Sequence, residues 1–146
     1  MSFDYKLVIL GHPKAQGRPR GTTIGRHVQI YDDPKSAAKK RELAVIIQEQ
    51  APKKPLTCPL LVVLHFYFPY LKGHYRTGKY AGELKPSAPK YHIVAPDLDN
   101  LAKLVLDAMT GIFWRDDSII CDMEIRKIYS ESPRIEIGIT KIEDEN

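Results

Sequence analysis

Residues Tyr5–Leu10 alternate apolar and polar side chains, the two-residue period of a strand with one buried face. The Gly- and Pro-punctuated stretch GHPKAQGRPRGTTIGRH that follows reads as a basic loop carrying Lys14, Arg18, Arg20 and Arg26, and 28–31 reads as a short second strand. Asp33 before Pro34 offers an N-cap followed by the residue best tolerated at the first helical position. Ala37, Leu43, Ala44, Ile46 and Ile47 then supply an apolar helix face until Pro52 forbids continuation. Leu60–Phe68, LLVVLHFYF, is branched, aromatic and short enough for a core strand, so His65 within it is expected as a packed or edge residue rather than a ligand. After Pro96, which disfavours helix at Ala95, residues 97–100 offer N-cap candidates for a helix over 101–109 that stops at Thr110 and Gly111. A further strand follows in SIICDMEIRKIY. These elements predict an α+β fold: one small domain over 1–146, with a mixed or antiparallel sheet flanked by two main helices.

Between 69 and 96 neither period appears. Lys72, Arg76, Lys79, Lys85 and Lys90 stand there with Glu83 as the only acid, and Tyr70, Tyr75, Tyr80 and Tyr91 lie between them. Two compatible expectations follow: a mobile surface insertion, and an arm whose cations follow a phosphate backbone while its tyrosines stack on exposed bases.

Length and composition, 146 residues of which 43% are hydrophobic, suit one core. The start MSFDYKLVIL lacks the pattern of a signal peptide, and the longest apolar run is too short and interrupted to cross a bilayer, so a soluble cytoplasmic protein with no membrane association is expected. Cys58 and Cys121 have no paired spacing and predict neither a disulfide framework nor a zinc site, only two half-buried thiols.

Charge changes the picture. Residues 1–96 hold 16 Lys and Arg against 6 Asp and Glu, net +10, whereas residues 97–146 hold 6 against 12, net −6, consistent with +4 for the chain. The tail IEDEN accounts for three of the later acids; the others need a reason. A basic surface beside an acidic cluster suits polyanion binding around a metal-dependent site, with cations on phosphates and carboxylates on the ion.

Asp97 is expected just outside the helix and Asp99 in its first turn, where an extended residue leading into a cap can aim both carboxylates at one point. Lys103 lies one helical turn beyond Asp99, and Asp107 continues that polar stripe. Capping and an exposed ion pair would explain each residue singly. The third acid is what these do not explain: a short turn is expected to return the chain so that Asp116 or Asp117 comes within reach of Asp97 and Asp99. On a strand running on from there, Asp117 shares a face with Ile119, Cys121, Met123 and Ile125, which makes it the ligand and turns Asp116 outward. Three carboxylates around one point require a hard divalent cation, Mg2+ or Mn2+. Such an ion beside bound phosphates suits phosphodiester hydrolysis, with Lys103 countering developing charge.

The run PDLDNLAKLVLDAMTG…WRDDSII, with Lys127 on the next strand, resembles the RusA family of Holliday junction resolvases across 96–127; the GRPR loop and the helix after Pro34 fit more loosely. The resemblance implies that Asp97, Asp99 and Asp117 bind Mg2+, with Mn2+ as its substitute, and are catalytic with support from Lys103. It also implies a homodimer acting on branched, four-way DNA in recombination and repair. Lys14, Arg18, Arg20, Lys72, Arg76, Lys79 and Lys127 are the expected DNA contacts. Val94, Ala95 and Pro96 stand where family members often carry basic residues, which shifts phosphate gripping to the 69–96 loop. The alternatives are a nuclease for flaps and other branched DNA, and a non-catalytic nucleic-acid-binding protein whose aspartates cap a helix.

Overall fold

A computed structural model describes residues 2–15, 20–24, 27–31 and 34–143, with backbone alone for 20–24, 27–31, Lys35 and Ser36. In chain order the elements are β1 (Tyr5–Leu10), β2 (Arg20–Ile24), β3 (His27–Tyr31), α1 (Pro34–Gln50), β4 (Leu60–Phe68), α2 (Leu98–Met109), β5 (Ile120–Tyr129) and β6 (Arg134–Lys141), with short 3-10 turns at Lys72–His74, Gly78–Tyr80 and Asp117–Ile119. The α+β architecture is the one predicted, and the sheet is mixed: its order is β1-β6-β4-β5, antiparallel except for β4 with β5. The basic stretch read as a loop contains β2, which pairs only with β3 in a separate two-stranded sheet. Strand RGTTI offers little apolar alternation, which is why its sequence reads as loop. The N-cap expected at Asp33 lies outside the described residues.

One face of the main sheet makes the core. Leu7 and Ile9, Val62, Leu64 and Phe66, and Ile135, Ile137 and Ile139 are buried there against Leu43 and Ile47 of α1 and Leu101, Leu104, Val105 and Met109 of α2. The opposite face carries polar groups, among them His65, which sits on an interior strand rather than an edge and whose Nε2 lies 2.8 Å from a Glu124 carboxylate oxygen. Cys58 is half-buried and Cys121 is exposed, both free thiols. No described helix is long and apolar enough to cross a membrane.

The 69–96 segment is folded rather than a loose insertion. Tyr70 stacks on Tyr129 with ring centres 5.1 Å apart, and His74 packs its edge on the same ring at 5.0 Å. Arg76 and Lys85 make backbone bonds to Glu83 and His74 that close the segment on itself. Its last part runs along the free edge of β5, where His92 N–H donates to the Lys127 carbonyl and Tyr129 N–H to that of Lys90. This covers an edge strand with paired backbone, the usual guard against unwanted pairing. Of the four tyrosines, Tyr70 and Tyr75 are half-buried, whereas Tyr80 and Tyr91 face solvent. Sequence alone cannot show this, because the period of the segment is set by the surface it packs on.

His92 stacks on Phe68 at 4.0 Å and is buried, and its Nδ1 has no partner among the described residues. Burial holds its pKa below the usual 6.5, and the Lys127 ammonium acts in the same direction. The unfolded imidazole therefore takes up protons near pH 6.5 that the folded one refuses. Stability is accordingly full above pH 6.5 and declines as pH falls through the depressed folded value; His12, also depressed by burial and by Lys14, adds to this decline. Urea midpoints at pH 7.5 and 5.5 should therefore differ less for His92→Phe than for the parent chain. Equal differences would mean that His92 is not part of the acid response.

Candidate active site

The helix α2 forms because Leu101, Ala102, Leu104, Val105, Ala108 and Met109 recur at helical spacing and are all buried. It begins three residues before the expected 101. Asp97 is its N-cap, with extended backbone (φ −71°, ψ 150°), and the Asp97 carbonyl accepts the Leu101 N–H at 3.2 Å. The Asp97 carboxylate makes no capping hydrogen bond. Capping therefore explains the backbone at Asp97 but not the acid. Among the described residues Asp99, in the first turn, accepts a hydrogen bond only from the adjacent Asn100 N–H at 3.0 Å. Lys103 is exposed and makes no ion pair among the described residues, so the simple Asp99–Lys103 pair is absent. Asp107 does not extend a free polar stripe: its carboxylate lies 3.5 Å from Lys40 Nζ of α1.

Beyond α2 the chain turns through Gly111, whose φ of 85° is a conformation that favours glycine. The Trp114 ring is fully buried; its Nε1–H donates to the Thr110 hydroxyl, which donates to the Leu106 carbonyl. Leu56 clamps the same turn through backbone bonds to Phe113 and Arg115. Asp116 is extended, and Asp117–Ile119 is a 3-10 turn rather than the start of the strand. The strand alternation therefore does not run back to Asp117, and Cys121, placed by that alternation in the core, is exposed. The two acids nevertheless differ. The Asp116 carboxylate accepts the Ser118 hydroxyl, which together with backbone N–H groups holds its pKa below the usual range. The Asp117 carboxylate has no hydrogen-bond partner among the described residues.

The expected return of the chain to the helix start is not what the structure shows. Lys127, well along β5, donates from Nζ to the carbonyls of Val94 and Pro96, both at 2.7 Å, so the start of α2 sits beside Lys127. From Ile120 to Lys127 a strand spans roughly 23 Å. The 12 residues of α2 cover about 18 Å in the opposite sense. Asp117 thus lies at one end of the α2–β5 pair and Asp97 with Asp99 at the other. Consistently, no three His, Cys, Asp or Glu side chains among the described residues are grouped to hold a metal ion. The turn was expected to close the distance; instead, the helix length sets it.

The candidate DNA contacts divide similarly. Lys14, Lys72 and Lys79 are exposed. Arg76 lies 3.9 Å above the Tyr80 ring and 3.3 Å from Glu83, so part of its charge is already engaged. Lys127 is half-buried and turned to the backbone carbonyls, not outward. Arg18 lies outside the described residues, and for Arg20 only the backbone, on β2, is described.

Comparison with known proteins gives the family of the chain. The family described as Endodeoxyribonuclease RusA matches residues 11–140. The chain is 32% identical over 142 residues to the uncharacterized protein YqaN of Bacillus subtilis (strain 168), covering 94% of this chain and 96% of that protein. It is 27% identical over 145 residues to the protein named crossover junction endodeoxyribonuclease rusA of Lactococcus phage r1t, covering 97% of this chain and 100% of the relative.

Proposed function

The chain belongs to the endodeoxyribonuclease RusA family, and on that premise we propose that it is a metal-dependent endonuclease that resolves four-way DNA junctions by phosphodiester hydrolysis. The observation that carries this reading is the family match itself, which runs through the whole acidic stretch and through both neighbouring strands.

Asp97, Asp99 and Asp117 are the proposed metal ligands. All three are exposed and offer only oxygen, the donor set of a hard divalent cation, so Mg2+ is the proposed ion and Mn2+ its substitute. Asp97, left without a capping bond, and Asp117, without a hydrogen-bond partner among the described residues, have carboxylates available for it. Such an ion, once bound, makes water a competent nucleophile at neutral pH and balances charge on the phosphate. Lys103, exposed one turn beyond Asp99, is the proposed cation that counters charge developing on the cleaved phosphodiester. Lys14, Lys72 and Lys79 hold phosphates farther from the cut.

The separation of Asp117 from Asp97 bears on the partner. Within one chain the helix and strand keep these acids on the order of 20 Å apart. A homodimer in which Asp97 and Asp99 of one copy face Asp117 of the other gathers the three ligands without distorting either element. It also supplies two sites, as paired cuts across a junction require.

The test is a nicking assay on a synthetic four-way junction and on a flap of the same sequence, at one salt concentration, with Mg2+ titrated from zero. Paired nicks in the junction, dependent on Mg2+ and exceeding those in the flap, are expected. Binding without nicking at any Mg2+ or Mn2+ concentration would defeat the enzymatic reading; preferential flap cleavage would replace the substrate.

A further inference from the structure

Lys127 stands where an apolar side chain belongs. From Met123 onward β5 alternates, and the register pairs Met123, Ile125, Lys127 and Tyr129 with Val62, Leu64, Phe66 and Phe68, all buried on the core face of β4. A lysine in that row has to bring its ammonium to polar partners, since an unpaired charge among apolar groups is costly. It does so by reaching past the sheet edge to the Val94 and Pro96 carbonyls, each 2.7 Å away. They lie three residues and one residue before Asp97 and belong to a stretch with exposed Ile93, Val94 and Ala95, which has little packing of its own.

We propose that Lys127 is a positioning residue: its ammonium ties the backbone of 94–96 to β5 and so fixes where the carboxylate of Asp97 points. Two charge-assisted bonds at short distance, from a side chain rooted in the sheet, hold this backbone more firmly than solvent would. Residues that orient a metal ligand without touching the ion affect metal affinity and turnover in common. This rests on reading Asp97 as a ligand, and it assigns Lys127 a role other than phosphate contact. Lys127 also lines a groove of about 520 Å³ together with Tyr91, Ile93, Leu98 and Arg126.

The experiment compares Lys127→Met, Lys127→Arg and Asp97→Asn with the parent chain. Lys127→Met keeps the length of the stem and removes the donors; Lys127→Arg keeps donors. For Lys127→Met the Mg2+ midpoint for junction cleavage should rise about tenfold or more and maximal turnover should fall, with Lys127→Arg recovering most of both. Metal-free junction binding and its salt dependence should be unchanged. A thermal melt first shows that each variant is folded at the assay temperature; should Lys127→Met not be, Lys127→Gln, uncharged and on an arm too short to reach both carbonyls, takes its place with the same expectation. Weaker metal-free binding with the log–log salt slope reduced by about one unit would make Lys127 a phosphate contact and overturn the proposal. So would an unchanged Mg2+ midpoint beside an inactive Asp97→Asn. A fully active Asp97→Asn would instead remove the ligand reading on which the proposal rests.

Discussion

Asp117→Asn is expected to lower junction cleavage by on the order of a thousandfold, several kcal/mol of lost metal assistance, while Asp116→Asn leaves it within a few fold. The two acids are neighbours in sequence, but Asp116 is occupied by Ser118 whereas Asp117 has no partner among the described residues. Asn keeps the size of either side chain and removes the charge that a divalent ion needs. Metal-free binding to the junction should persist or tighten for Asp117→Asn, because less negative charge faces the phosphates. Asp97→Asn should behave like Asp117→Asn. Mixing those two inactive variants then asks where the site lies. In a mixed dimer with shared sites, one site collects both substitutions and the other collects neither, so nicking should reappear on mixing. Sites built within one chain would stay dead in every combination. An active Asp117→Asn beside an inactive Asp116→Asn would reverse the assignment, and two active variants would end the three-carboxylate mechanism.

Trp114→Ala should cost about 3–5 kcal/mol of folding free energy, a large part of what a domain of this size possesses. The ring is fully buried beside Phe113, itself edge-on to Tyr5 at 5.1 Å, and its N–H anchors Thr110 at the end of α2. Trp114→Phe keeps most of the apolar contact and loses that hydrogen bond, and should cost roughly 1–2 kcal/mol. Urea unfolding of the three proteins measures both. A loss below that of the Phe variant for Trp114→Ala would mean that the turn is held by Leu56 and Gly111 alone.

Much of the fold was legible because its periods are local. The bounds of β1 and β4 match the predicted runs, and α1 begins and ends where Pro34 and Pro52 indicate. Strand β6 is not among the predicted elements, although Ile135, Ile137 and Ile139 alternate with Arg134 and Glu136 as cleanly as any stretch in the chain. Its signal was present in the sequence. The partners of β4 were not, since parallel pairing with β5 is a property of two distant segments. The candidate site divides in the same way. The D-x-D-N-L-x-K spacing, the helix that carries it and the distal acid pair can be read directly, as can the family. The separation of Asp117 from Asp97 depends on a 3-10 turn and on which end of β5 meets α2, and neither leaves a mark in residue types. Lys127 reads as one more cation on a basic protein until the register shows it in an apolar row.

Because β4 and β5 run side by side in the same direction, everything from Pro69 to Ile119 is a single return journey between them. Asp97, Asp99, Lys103 and Asp117 all ride on that journey. The strand made last, β6, is not at the rim but between β1 and β4. A ribosome therefore releases every acidic residue of the site before it releases the strand that closes the sheet beneath them. Pairing across such a long connection is slow, since closure entropy must be lost before contacts offset it. In the proposed reading, a half-made chain carries the nuclease's residues without the strand that joins β1 to β4. The ability to cut DNA arrives only with the finished polypeptide, and, where two copies share a site, only after a second finished one has joined it.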